Sequence, residues 1–185
     1  MWINAEQPDL VFEGDRVAVA FLEVADAEEF LHLVHSSRES LDRWLPWVES
    51  VRSVAEAENF LAAYQMQRDL DNGGMMGVRV RESGALAGAV VLQWIDMKNR
   101  SAALGYFLGK EFEGMGLATE AVSLVLENIR NRGIHRVEIL ASTQNRKSCA
   151  LAERLGFLKE GVSRDAEFLH GKWQDVLRFA KIFEN

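Results

Sequence analysis

The 185-residue chain is long enough for one domain, carries a net charge of −7 and contains a single cysteine, Cys149. The acidic excess argues against general nucleic-acid binding, which needs a basic surface, and is compatible with a cationic or amine ligand. One cysteine excludes an internal disulfide framework and a multi-cysteine metal site. With no recognisable signal peptide and no long apolar span, we expect one cytoplasmic domain over residues 1–185, without a membrane partner.

Hydrophobic periodicity alternates between strand-like and helical along the chain. Runs rich in β-branched and apolar residues, or with period 2, predict seven strands, at residues 15–24, 75–81, 86–95, 101–108, 136–141, 160–168 and 173–183. Apolar residues at helical spacing predict four helices, at residues 26–37, 53–70, 117–132 and 145–155. Residues 1–14 show no clear period. This order predicts an α/β domain with a mixed, mostly antiparallel seven-stranded sheet flanked by about four helices.

Local signals define several ends and connections of these elements. Asp26 with Glu29, and Ser53 with Glu56, have the spacing of capping boxes. Asn145 is a typical N-cap for the last helix. Short turns between the strands at 75–108 predict an antiparallel meander, whereas the strand–helix–strand order from 101 to 141 predicts a right-handed parallel crossover.

A glycine-containing loop separates the strand at 101–108 from the helix that starts at Leu117. Gly114 and Gly116 allow backbone N–H groups to turn toward an anion, and the helix start adds free donors and the positive end of its dipole. The P-loop pattern is absent, and Thr119 stands where the dinucleotide fingerprint needs its third glycine. The loop therefore predicts either an anion site or an ordinary strand-to-helix turn.

Two tryptophans, Trp44 and Trp47, flank Pro46. The proline disfavours a helical conformation at Leu45 and predicts a rigid turn. The two indoles either anchor a loop to the core or form the walls of a substrate pocket.

Three motifs, in this order, resemble those of the GNAT superfamily of N-acetyltransferases, and the resemblance extends over about residues 15–183. Residues 113–118 (EGMGLA) resemble the signature Gln/Arg-x-x-Gly-x-Gly/Ala, and residues 145–157 resemble the segment N-x-x-S…L-G-F. The tail at 168–176 and the Trp44–Trp47 loop resemble the branch that acetylates serine or alanine N-termini of ribosomal proteins. Glu113 stands where the signature has Gln or Arg. We therefore expect the anion-binding loop at residues 113–119, here called the cradle, to bind through its backbone amides.

The resemblance implies acetyl-coenzyme A as cosubstrate. It places Phe107 and Leu108 beside the pantetheine and the loop amides around the pyrophosphate. It also implies that the two parallel strands splay apart and that an N–H near Leu108 binds the oxyanion. The implied coenzyme-binding residues are Phe107, Leu108, Glu113, Gly114, Met115, Gly116, Leu117, Ala118, Thr119, Asn145 and Ser148.

The resemblance also implies catalytic roles for two side chains. Ser148 would be the acid, where many relatives use a tyrosine on the same helix, and Glu167 would be the base. Ser148 can equally be an ordinary serine at a helix start, and Glu167 a solvated glutamate. Asp165, two residues before Glu167, would share its strand face and is the alternative base, and Cys149 is a competing hydrogen donor. The histidines lie at turn or surface positions of the predicted elements, so a metal site is not expected.

The expected reaction is acetyl transfer to a primary amine, with a protein N-terminus as the first candidate. One alternative acceptor is a small cationic amine, such as a polyamine, an amino acid or an aminoglycoside-like molecule, which the net charge of −7 would attract. A non-catalytic acyl-coenzyme A-binding module is the alternative outside enzymes. Exposed apolar positions in the final hairpin would permit a homodimer.

Overall fold

An eight-stranded sheet forms the centre of the computed structural model, which describes residues 11–184. In chain order the strands are β1 (Val11–Glu13), β2 (Val17–Phe21), β3 (Gly74–Val80), β4 (Leu86–Asp96), β5 (Ser101–Leu108), β6 (Arg136–Ser142), β7 (Leu158–Leu169) and β8 (Lys172–Ile182). Their order across the sheet is β1-β2-β3-β4-β5-β6-β8-β7. The β5–β6 pair is parallel, and the other neighbouring pairs are antiparallel.

The α/β class and the mixed, mostly antiparallel sheet are confirmed, with one strand more than predicted. The additional strand, β1, has three residues and lies in the stretch that shows no period. The first predicted strand, 15–24, is shorter in the structure, because the chain leaves the sheet after Phe21 and forms a 3-10 helix at Val24–Asp26. Part of the predicted irregular stretch, residues 1–10, lies outside the described residues.

In the described part of the chain, five α-helices pack around the sheet. They are α1 (Ala27–Ser36), α2 (Arg38–Asp42), α3 (Val54–Asp69), α4 (Leu117–Asn131) and α5 (Arg146–Arg154). Four of them are the predicted helices, and α2 is an additional single turn. Two further 3-10 helices, Pro46–Ser50 and Lys110–Phe112, lie where turns are predicted.

The sheet separates two hydrophobic cores. On one face, α4 buries Leu117, Ala121, Val125 and Ile129, which recur at helical spacing, together with part of α5. On the other face, α1 and α3 cover β3 and β4. Within residues 11–184, no helix has the length and apolar character needed to cross a membrane.

The two predicted capping boxes have different outcomes. Ser53 caps α3, since its hydroxyl accepts a hydrogen bond from the Glu56 N–H. The box of Asp26 and Glu29 is wrong. Both carboxylates instead bind the guanidinium of Arg79, at 2.8 and 2.6 Å, and the Asp26 side chain accepts from the N–H of Glu23. The capping box therefore forms three residues earlier than predicted, between Glu23 and Asp26 at the start of the 3-10 helix.

Candidate active site

The parallel strands β5 and β6 separate at their carboxyl ends. Their pairing runs from Ser101 opposite Arg136 to Leu104 opposite Ile139, whereas β5 continues to Leu108 and β6 to Ser142. The predicted gap between these strands is therefore present.

The backbone at the end of β5 directs an N–H group toward this gap. The Gly109 N–H donates to the carbonyl of Ala87, in the direction of β4. Since successive N–H groups along a strand alternate in direction, the Leu108 N–H points away from β4. It has the orientation expected of an oxyanion donor.

The loop after β5 carries two glycines in the left-handed region. Gly114 has φ +79° and Gly116, the N-cap of α4, has φ +78°, which glycine adopts without strain. Within residues 11–184, no side chain caps the start of α4, so its first N–H groups remain available to an anion. A Cβ built on Gly114 would meet no atom of these described residues within 4 Å, so the loop is open on that side. These features fit a pyrophosphate.

Arg16, the residue before β2, holds this loop against α4. Its guanidinium donates to the Met115 carbonyl at 2.7 Å and to the Glu120 carboxylate at 2.8 Å. Burial of Glu120 opposes ionisation, but the donors from Arg16 and Val17 lower the pKa of the Glu120 carboxyl. Sequence reasoning missed Arg16, because its partners lie about 100 residues away.

Glu113 faces two lysines. Its carboxylate lies 2.5 Å from the Lys147 ammonium and 3.8 Å from that of Lys110. Lys147 belongs to the first turn of α5, so this ion pair joins the loop to α5. A 3.2 Å hydrogen bond from Arg154 of α5 to the Thr119 hydroxyl also joins α5 to the first turn of α4. The negative charge of Glu113 is therefore compensated by two lysines of the protein itself.

Asn145 and Ser148 lie together at the start of α5. The Asn145 side chain accepts a hydrogen bond from the Ser148 N–H, which confirms the predicted N-cap. The Ser148 hydroxyl lies 3.1 Å from the hydroxyl of Tyr106 on β5. Burial raises the pKa of Tyr106 to about 12, although the hydrogen bond to Ser148 opposes the shift. Sequence reasoning treated Tyr106 only as part of an apolar strand.

Cys149 follows Ser148 but is poorly suited to reaction. Burial raises the pKa of its thiol, with a further contribution from Glu153. A raised pKa depletes the reactive thiolate.

Glu167 lies on β7 directly opposite Gln174 of β8. The Gln174 side chain accepts a 2.9 Å hydrogen bond from the hydroxyl of Ser142, the last residue of β6. Glu167 is therefore in register with a residue whose side chain reaches the last residue of β6. Burial raises the pKa of the half-buried Glu167 carboxyl, which makes it a stronger base once ionised.

Asp165 does not share a simple strand face with Glu167, contrary to the prediction from their spacing. The β7–β8 register shifts between Ser163 and Glu167, and Asp165 has φ +47°. Its N–H donates to the Asp175 carboxylate at 3.0 Å. The irregularity breaks the period of two on which the prediction depended.

The two tryptophans lie in different surroundings. Trp47 packs against Phe107 and Phe60, with ring centroids 5.3 and 4.8 Å away, and so joins β5 to α3. Trp44 stacks instead with Arg43, whose guanidinium carbon lies 5.0 Å from the ring centroid. Trp47 thus has the packing of a core anchor, and a role of either indole in substrate binding stays a prediction.

The tip of the β7–β8 hairpin contacts the segment before the tryptophans. His170 Nε2 lies 2.8 Å from the backbone carbonyl of Asp42 and 3.5 Å from its carboxylate. Since a carbonyl oxygen only accepts, Nε2 carries the hydrogen. The Glu49 carboxylate lies in the same group, with potential ligand atoms within 4.8 Å of one another. His170 therefore joins the strand of Glu167 to the segment of Trp44 and Trp47.

Comparison with known proteins agrees with this geometry. Residues 16–158 match the family described as acetyltransferase (GNAT) domain. The chain is 32% identical over 169 residues to "Putative ribosomal N-acetyltransferase YdaF" of Bacillus subtilis, covering 90% of this chain and 91% of the relative. It is 25% identical to ribosomal-protein-serine acetyltransferase of Escherichia coli, covering 83% and 85%.

A solved structure has a similar fold. Microcin C7 self immunity acetyltransferase MccE, in complex with acetyl-CoA and AMP, is 26% identical with a TM-score of 0.87, covering 92% of this chain and 94% of that chain. The family match spans most of the chain. The chain therefore belongs to the GNAT family and is an acetyl-coenzyme A-dependent N-acetyltransferase.

Proposed function

We propose that this enzyme acetylates the N-terminal α-amine of a protein, by direct attack of the amine in a ternary complex. The observation that carries the proposal is the position of Glu167, a half-buried carboxylate opposite Gln174, whose side chain reaches across β8 to the last residue of β6. Ser142 is buried, but Leu140, two residues earlier on the same face of β6, is 46% exposed, so part of this face is open to solvent. An open face admits an extended peptide, and relatives named as ribosomal acetyltransferases support this acceptor class.

Three groups of the chain supply the proposed chemistry. Glu167 accepts a proton from the attacking amine, directly or through one water molecule. The Leu108 N–H donates to the acetyl oxygen while negative charge develops there. The Ser148 hydroxyl supplies a proton to the departing sulfur. A nearby acid helps because a thiol is a better leaving group than a thiolate.

The same proposal assigns the coenzyme contacts. Backbone N–H groups of residues 113–119 bind the pyrophosphate, and the unpaired end of β5, with Phe107 and Leu108, lies along the pantetheine. Asn145 acts by fixing the first turn of α5. Leu117 contributes its backbone alone, since its side chain is buried in the core.

A thiol-release assay with acetyl-coenzyme A tests the acceptor. The panel comprises peptides that begin with serine or alanine, the same peptides with blocked N-termini, and spermidine. We expect turnover with the free N-termini and none with the blocked ones. Turnover with spermidine alone would favour the small-amine alternative, and no turnover with any acceptor would contradict the proposal.

We also propose that the final hairpin supports a homodimer. Phe168 and Trp173 pack against each other at 4.9 Å and remain 56% and 62% exposed. Such paired, exposed aromatic rings are typical of interfaces. Sedimentation analysis should give a dimer for the wild type and a monomer for Phe168→Ser/Trp173→Ser. Met66→Ser, which changes an exposed apolar residue on α3, is the control. A monomeric wild type would overturn the idea.

A further inference from the structure

The hydroxyl of Tyr106 contacts both polar atoms that Ser148 presents to β5. Its oxygen lies 2.9 Å from the Ser148 carbonyl oxygen and 3.1 Å from the Ser148 hydroxyl oxygen. The carbonyl can only accept, so in this arrangement the phenol donates to the carbonyl and can accept from the serine hydroxyl. The orientation of the Ser148 hydroxyl thus depends on Tyr106.

Tyr106 also lies at the position where the thioester would react. It follows the last β5–β6 pair, at Leu104, and shares a face with Leu108 two residues later. Helix α5 presents Ser148 to this face, so the phenol lies between the strand gap and Ser148. Because burial raises the pKa of Tyr106 to about 12, the phenol keeps its proton at neutral pH.

We propose that Tyr106 is a positioning residue for the acid, one that orients the Ser148 hydroxyl and supports its oxygen while sulfur departs. The inference rests on the proposed function. As the carbon–sulfur bond breaks, its electron pair stays on sulfur, and Ser148 gives its proton to that sulfur. The Tyr106 O–H then turns from the carbonyl to the Ser148 oxygen.

This second hydrogen bond matters most when the serine oxygen loses its proton, because a hydrogen bond to a developing anion is stronger than one between neutral groups. Ser148 recovers a proton from water, and Glu167 releases to water the proton that it took from the amine. Tyr106 ends the cycle as the same neutral phenol, so protons and electrons balance.

A double-mutant cycle with Tyr106→Phe and Ser148→Ala tests the inference. Tyr106→Phe removes the hydroxyl and keeps the ring, so we expect kcat to fall about 10-fold, as for one charge-assisted hydrogen bond. The Kd for coenzyme A should not change. In the Ser148→Ala background, Tyr106→Phe should have no further effect on kcat, because the phenol acts only through Ser148.

The only other tyrosine is the control. Tyr64 lies on α3, is largely buried and packs edge-on against Phe60. Tyr64→Phe should keep the wild-type kcat, and Ser148→Thr, which keeps a hydroxyl, should restore the dependence on Tyr106.

Several outcomes would overturn the inference. One is an unchanged kcat in Tyr106→Phe. Another is a double variant whose fold-loss in kcat equals the product of the two single losses. The third is a loss of rate in Tyr106→Phe that is matched by an equal loss of coenzyme affinity. A wild type that releases no thiol with any acceptor would overturn the proposed function, and this inference with it. A working wild type that is insensitive to Tyr106→Phe would overturn this inference alone.

Discussion

Glu167 is a carboxylate whose protonation should control the rate. Burial raises its pKa, so the acidic limb of kcat/KM should lie above the ordinary glutamate range. Glu167→Gln should lower kcat by roughly 10²–10⁴-fold and remove this contribution to the limb. Because folding raises the pKa of this carboxyl, the folded protein loses stability as the pH rises through the range in which the carboxyl ionises. Glu167→Gln should therefore be no less stable than the wild type at pH 7. Rate profiles from pH 4 to 9 and thermal unfolding measure both effects.

Asp165→Asn is the matched control for this prediction. Asp165 is exposed at the irregular part of β7, and its backbone is already held by Asp175. We expect the variant to keep a rate within a few-fold of the wild type. If Asp165→Asn were the slower of the two variants, the assignment of the base would be reversed.

Glu113 should weaken coenzyme binding only indirectly, by occupying lysines. Glu113→Gln would release Lys147 and Lys110 toward the pyrophosphate, so the Kd for coenzyme A should fall by a few-fold at low salt. The gain should shrink at about 0.5 M salt, where such charges are screened. Titration calorimetry measures both conditions.

Glu111→Gln removes an equal charge from an exposed position in the same loop and controls for net charge. Pantetheine, which has no pyrophosphate, should bind the wild type and Glu113→Gln equally. A coenzyme affinity that falls in Glu113→Gln would show that the ion pair helps to form the cradle.

Contacts between pairs of residues show which parts of the site the sequence can predict. The Asn145 cap was predictable because its partner, Ser148, lies three residues away. The contacts of Tyr106 with Ser148 and of Arg16 with Met115 were not, since they join residues 42 and 99 positions apart. Such pairs depend on the tertiary arrangement, which periodicity does not encode.

At the scale of elements, the loop and the start of α4 act as one unit. Gly114→Ala should place a methyl group in the cradle and weaken coenzyme A binding about 10-fold, as for one lost charge-assisted hydrogen bond. It should also destabilise the fold by about 1 kcal/mol, because a side chain is strained at φ +79°. Calorimetry and thermal unfolding separate the two effects.

Gly133→Ala is the matched control at the opposite end of α4. Gly133 has φ +89°, and a Cβ there would also meet no atom within 4 Å. The stability of the Gly133→Ala variant should fall by a similar amount, while its affinity for coenzyme A stays unchanged. If both variants lost the same affinity for coenzyme A, the loss in Gly114→Ala would come from backbone strain and not from a lost contact with the coenzyme.

The elements that sequence predicts well are those whose pattern and burial agree. Helix α4 is an example, because its buried residues recur every three to four positions. Strand β1 and helix α2 are too short to produce a period, at three and five residues. In β7, nine of twelve residues are exposed, so alternation says little about the irregular register.

For the whole molecule, the order of strands decides where the site lies. Strand β8 lies between β6 and β7, which places Glu167 two strands from the gap. The local pattern predicts the final hairpin but not which of its strands pairs with β6. The gap itself was expected from family resemblance, and the residues alone predict only the parallel crossover.

His170 joins distant parts of the chain, and its removal should affect one substrate only. Its ring binds Asp42, 128 residues earlier, and so ties the strand of Glu167 to the segment that carries Trp44 and Trp47. His170→Ala should release the hairpin tip and raise the KM for the acceptor several-fold, as expected for one or two lost hydrogen bonds. The KM for acetyl-coenzyme A should stay constant, because the loop and α5 are untouched.

Steady-state kinetics with each substrate varied in turn measures this selectivity. Lys172→Ala, at an exposed position just beyond the same turn, is the control and should leave both constants unchanged. If His170→Ala raised the KM for acetyl-coenzyme A as well, the hairpin would be supporting the whole fold rather than the acceptor side. An unchanged acceptor KM would mean that the contact with Asp42 does not shape the binding of the amine.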